Sequence, residues 1–124
     1  MNPLCRILSM LAVLGLAWAQ QPAFQSGKPL YVVIHVDIAP GPAGLAGPTK
    51  LLQDFAADTR KDPGCVRVDL LQQDRRNHFT LVEAWQTREA FEAHTAAEHT
   101  KRFREKINSD LGSPFDERLH SLLP

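Results

Sequence analysis

The sequence predicts an α+β domain of element order β-α-β-β-α-β, and three observations carry that expectation. Two β-branched segments flank the turn Asp74-Arg75-Arg76-Asn77, the pattern of an antiparallel hairpin. A third such segment, YVVIHVDI at residues 31–38, stands well ahead of them. Stretches of helical period occupy the intervals on both sides of the hairpin. The result is a ferredoxin-like unit.

Each element has its own signal. Residues 39–47 (APGPAGLAG) form a loop by glycine and proline content. Pro48 suits a first helical position, and Leu51, Leu52, Phe55, Ala56 and Thr59 recur at helical spacing towards Asp62. Pro63-Gly64 stops that helix. Strands follow at residues 65–73 and 78–86, and Thr87 caps a helix whose apolar stripe is Ala90, Phe91, His94 and Ala97. A further helical piece carries Phe103, Ile107 and Leu111 and ends at Gly112-Ser113-Pro114. Residues 115–123 supply the last strand.

The bulk properties narrow the class. A chain of 124 residues, 44% hydrophobic and 23% charged, holds one core and not two. Fourteen basic residues balance fourteen acidic ones, so no field points to nucleic acid or an anionic membrane. The start differs in kind. One positive charge at Arg6, the apolar run ILSMLAVLGLAWA and the small-x-small pattern Ala17-Trp18-Ala19 read as a signal peptide over residues 1–19. The run is short for a membrane span, so no stable anchor is expected after cleavage. Residues 20–30 then form a flexible linker and residues 31–124 the domain, secreted across the inner membrane to a periplasmic or extracellular location. Losing Arg6 leaves thirteen basic against fourteen acidic residues and Cys65 as the sole cysteine, so no intrachain disulfide can form. Cys65, opening a strand, reads as a small hydrophobe.

The strands are apolar on two sides. Val32, Ile34, Val36 and Ile38 share one side of the first strand, and Tyr31 and Val33 the other. In the third strand Phe79 and Leu81 oppose Val82 and Ala84. Two helices cover one face of a four-stranded sheet, so the second face calls for a partner, and a homodimer supplies it most simply.

Centring the hairpin on Arg75-Arg76 sets Leu70 opposite Leu81, Val68 opposite Glu83 and Val66 opposite Trp85. One side of the hairpin is then aliphatic and aromatic with a single carboxylate, Glu83. His94 shares the buried stripe of the following helix with Phe91, so Glu83, Trp85 and His94 converge between helix and sheet. Two readings stand: the acid and the histidine satisfy one another or the backbone and fix the packing, or they are a catalytic set. His99 lies about 140° further round an unbroken helix and joins His94 only if the helix breaks between them. A metal site has little support, since His94-x4-His99 is not HExxH and no Cys or His cluster accompanies it.

The stretch HFTLVEAWQTREAFEAHTAAEHTKRF resembles the antibiotic biosynthesis monooxygenase family, including its quinol-oxidising members, through Glu83-x-Trp85, Ala90-x-x-x-His94 and His99. IAPG at residues 38–41 and DPGC at residues 62–65 fit as well. The resemblance implies a dimeric α+β barrel and oxygenation of phenolic or quinol substrates by O2 with no metal, flavin or haem cofactor. It implies His94 or His35 as the base, Glu83 orienting an imidazole and Trp85 stacking on the substrate. Phe91, His99 and Asn77 complete the substrate-binding candidates, Asn77 for an oxyanion. Haem-degrading relatives instead place asparagine on the first strand and tryptophan on the second helix, where this chain has His35 and His94, so haem breakdown is disfavoured. The alternative is a non-catalytic dimer, or an isomerase, holding a small aromatic or stress metabolite in the same cavity.

Overall fold

Strand β1 (Leu30–Asp37) alternates buried and half-buried residues along its whole length, so one edge of its pleat faces a core and the other does not. The computed structural model describes residues 28–124, and the expected leader and most of the linker lie outside the described residues. Leu30, assigned to the linker from sequence, is a buried strand residue. Then come α1 (Ala46–Thr59), β2 (Cys65–Gln72), β3 (His78–Trp85), α2 (Arg88–Ala96), α3 (Glu98–Ile107), a 3-10 turn and β4 (Asp116–Ser121). The sheet order is β2-β3-β1-β4 with every neighbouring pair antiparallel, the ferredoxin-like arrangement.

Helix α1 begins two residues before Pro48, which sits in the first turn where its missing N–H leaves no bond unmade. It ends at Thr59 rather than Asp62, because the chain there enters a turn closed by Cys65 N–H donating to the Asp62 carbonyl at 3.1 Å. Pro63 and Gly64 (φ +80°) are its central residues, the arrangement of a type II turn. Arg60 reaches back from the helix end and donates from Nε and Nη2 to the Val68 carbonyl at 3.1 and 2.8 Å, fixing α1 against β2.

The hairpin register follows the sequence over most of its length, with Leu70 opposite Leu81 and Val68 opposite Glu83. It departs at the end nearest the helices. A bulge between Cys65 and Arg67 puts Cys65, not Val66, opposite Trp85. Val32, Ile34, Val36, Val68, Phe79, Leu81 and Trp85 point to the helical layer and pack with Leu52, Phe55, Phe91, Phe103 and Ile107. The opposite face carries Tyr31, Val33 and Val82, half-buried, together with exposed Leu71, but also Thr80, His35 and Asp69. No helix among the described residues is long and apolar enough to cross a membrane.

Gly64 joins the turn to the helical layer. A Cβ there would stand 2.5 Å from the Ala90 Cβ, on a backbone of φ +80° that side chains rarely adopt. Gly64→Ala is expected to destabilise the fold by about 2–3 kcal/mol, read as a lowered urea midpoint at unchanged slope.

Candidate functional site

Glu83 is wholly buried on the helical side of β3, with Val32 and Val68 as its cross-strand neighbours. Its Oε2 accepts a hydrogen bond from Trp85 Nε1 at 2.9 Å, a pairing open to two residues on the same side of one strand. Its Oε1 has no hydrogen-bond partner. Burial pushes the carboxyl pKa up to about 7 against the pull of the indole N–H, so near neutral pH this group is divided between acid and carboxylate.

His94 is buried among rings: Trp85 at 4.8 Å between centroids, Phe55 at 5.7 Å and Phe91 at 6.1 Å. Its polar partner is not Glu83, as the sequence allowed, but Asp62, whose Oδ2 lies 2.7 Å from Nδ1. Burial lowers the histidine's pKa while the bond to Asp62 opposes that shift, so the neutral ring donating Nδ1–H to the carboxylate is favoured. Nε2 is the nitrogen left for another partner. Asp62 also accepts from His99 Nε2, at 2.9 and 2.8 Å to its two oxygens.

The two histidines meet because the helix breaks. Ala97 is extended (φ −66°, ψ 147°), ending α2 and serving as the N-cap residue of α3. Its N–H donates to the His94 carbonyl at 3.0 Å, and its carbonyl accepts from Lys101 N–H at 3.1 Å. The ring centroids of His94 and His99 come to 5.5 Å. Thr100, fully buried in the first turn of α3, brings its hydroxyl to 3.3 Å from His94 Nδ1. His94 opens on its other side to a cleft lined by Ile34, Leu81, Phe55, Phe103 and Phe115, with Arg104 and Glu117 at its edge, 2.8 Å apart. Its free volume is about 10 Å³, room for one water.

Residues 29–106 match the family model described as antibiotic biosynthesis monooxygenase. The chain belongs to that family. No curated protein matches it. Among solved structures, a Pseudomonas aeruginosa protein is 26% identical at TM-score 0.72, covering 81% of this chain and 99% of its own. A structure described as an antibiotic biosynthesis monooxygenase is 27% identical at TM-score 0.70, covering 77% and 99%. A variant of SnoaB, a cofactor-independent oxygenase from Streptomyces nogalater, shares the fold at 18% identity and TM-score 0.65, covering 77% and 94%.

Within this monooxygenase-family domain not every residue singled out from sequence reaches the cleft. His35 lies on the opposite face of the sheet, because it is an odd number of residues from Val32 and Ile34, which face the helices. There its Nδ1 contacts the Thr80 hydroxyl at 3.2 Å. Asn77 sits at the far end of the hairpin, away from the cleft, and its Nδ2 donates to the Ile38 carbonyl at 3.0 Å, tying the turn to the end of β1. Phe91 is buried 6.0 Å from the Trp85 ring. Burial pushes the Cys65 thiol up to about 11, which suits packing and not nucleophilic attack.

Asp62 was invisible as a site residue. It stands 32 residues before His94 and in sequence marks only a Pro-Gly turn. The two histidines share a site only across a helix break, and the structure supplies one. With the break at Ala97, donor atoms of Asp62, His94 and His99 lie within 4.8 Å of one another.

Glu83 makes stability depend on pH with a definite sign. Its folded pKa of about 7 exceeds the ordinary 4.5, so between those values the unfolded chain ionises while the folded one holds its proton. Stability is greatest below that window and falls as pH rises through it, by roughly 3 kcal/mol for this group. Urea unfolding of Glu83→Gln is expected to lack that part of the slope; a variant with the native pH profile would show that the carboxyl does not titrate there.

Proposed function

We propose that this protein is a cofactor-independent monooxygenase that reacts a quinol or phenolic small molecule with O2, working as a homodimer exported across the inner membrane. The observation that carries the reading is His94. It is a buried, neutral imidazole tilted against an indole, with one nitrogen held by Asp62 and that carboxylate held in turn by the partly exposed His99.

A phenol or hydroquinone is a poor reductant of O2 until it loses a proton, and its anion is a good one. His94 Nε2 accepts that proton in a water-poor, ring-lined cleft, where the anion is unscreened and reactive. The imidazolium so formed is stabilised by Asp62, whose carboxylate His99 Nε2 also holds. Electrons pass from the anion to O2; one oxygen atom enters the ring as a quinone carbonyl and the other leaves as water with the two displaced hydrogens. Glu83, near its midpoint at neutral pH, is a second proton donor or acceptor beside Trp85. The exposed Arg104–Glu117 pair is the part of the wall that parts at least cost for an aromatic ring to enter. Membership of a family that includes cofactor-independent monooxygenases supports the reaction class. Half-buried Tyr31, Val33 and Val82, with exposed Leu71, support a second copy on the outer sheet face.

Oxygen uptake by the chelator-treated protein over a panel of hydroquinones and polyphenols tests this. The native chain is expected to exceed autoxidation, and His94→Ala to lose about 10²–10⁴-fold in rate with the fold intact by circular dichroism. Tight binding of the same compounds, seen as Trp85 fluorescence quenching, with no uptake above background would instead assign the cleft to a non-catalytic binding dimer.

A further inference from the structure

We infer that Asp62, His94 and His99 form a binding site for a divalent first-row transition-metal ion of the zinc class. The donors come from three segments: the turn after α1, the last turn of α2 and the first turn of α3. They converge only because Ala97 interrupts the helix. The site does not depend on the oxygenase reading.

The distances suit an ion with a small adjustment. The carboxylate lies 2.7 Å from His94 Nδ1 and 2.8 Å from His99 Nε2. Ligands about 2.0–2.2 Å from a common tetrahedral zinc-like ion stand about 3.3–3.6 Å from one another, so the two contacts to Asp62 open by roughly 0.5–0.9 Å, while donor atoms now spread over as much as 4.8 Å draw together. Asp62 on its turn and partly exposed His99 can supply that movement. Each imidazole now presents its N–H to the carboxylate, and a tautomer shift, with no change of charge, turns the same nitrogen's lone pair inward. The Phe55 ring stands 5.7 Å from His94 and 6.1 Å from His99 and limits how far either imidazole turns. The Thr100 hydroxyl, 3.3 Å from His94 Nδ1, is placed to bond a metal-bound water.

The donor set selects the ion. Two imidazole nitrogens and one carboxylate oxygen suit Zn2+, Co2+ or Ni2+, whereas Mg2+ and Ca2+ require oxygen ligands and Cu+ requires sulfur. Three protein ligands leave a coordination position open. His99 lines an open groove between α1 and α3 of about 280 Å³, with Asp54 and Asp58 but also Arg102 and Lys106 on its wall, so solvent reaches that side of the cluster. An ion held there occupies His94 Nδ1 and Asp62 together and interrupts the path between the two histidines.

The test uses the tag-free, chelator-treated protein and no substrate, so its result stands apart from any oxygen uptake. Zn2+ is titrated by calorimetry and Co2+ by its visible ligand-field absorption. The expected result is one ion per chain with a dissociation constant of about 1 μM or tighter, weakened about 100-fold or more in Asp62→Ala and in His99→Ala. His35→Ala, on the other sheet face, keeps the native affinity, and Mg2+ does not compete. No heat and no absorption change, equal binding of Mg2+, or native affinity in both ligand variants would each overturn the site. His99→Ala alone decides if Asp62→Ala does not fold, since His99 hydrogen-bonds only Asp62 whereas Asp62 bonds both histidines.

Discussion

One carboxylate holds the helical layer's polar interior together. Asp62 accepts from an imidazole at the end of α2 and from another at the start of α3, so the turn after α1 and both helices over the sheet meet at one residue. Its position rests on the backbone of the Asp62-Pro63-Gly64-Cys65 turn, where positive φ at Gly64 and close contact with Ala90 leave no room for a side chain. Small features of the turn therefore reach the site directly. The same carboxylate compensates two imidazoles that would otherwise be poorly solvated beneath Phe55 and Trp85.

The second polar unit, Glu83 with Trp85, is built on other principles. Both lie on one strand, two residues apart, and need no distant partner to find one another. Their link to the Asp62 cluster is the contact between the Trp85 and His94 rings at 4.8 Å, which is apolar in kind. The interior thus runs from a partly exposed end, at His99, to a sealed end, at Glu83, with His94 between them. A sealed carboxyl near its midpoint and a neutral imidazole are what proton transfer in a dry cleft requires. That division follows from where each group sits relative to water and not from residue type, since Asp62 and Glu83 carry the same chemistry.

The contrast between His35 and His94 shows how such placement arises. Both are histidines among apolar residues, and either suits a base by composition. The pleat of β1 puts His35 on the sheet face away from the helices, beside Thr80, while three- and four-residue spacing from Phe91 and Ala90 puts His94 underneath α2. Periodicity separates them once strand and helix are assigned.

The strand order, most of the hairpin register and the shared side of Glu83, Trp85 and His94 were legible in the amino-acid sequence, because pleat and helix periodicity are local and each acts over a few residues. The bulge that moves Val66 away from Trp85 and the extended conformation at Ala97 were not, since Pro63-Gly64 announces a turn but not the bulge after it, no glycine or proline marks Ala97, and both arise where elements pack. Nor could Asp62 be linked to His94 and His99, because a hydrogen bond across 32 residues leaves no spacing in the chain. By itself the sequence determined which side chains share a face. Only the tertiary structure decided which of them share a proton, because that depends on how separate segments close over one another within a few ångströms.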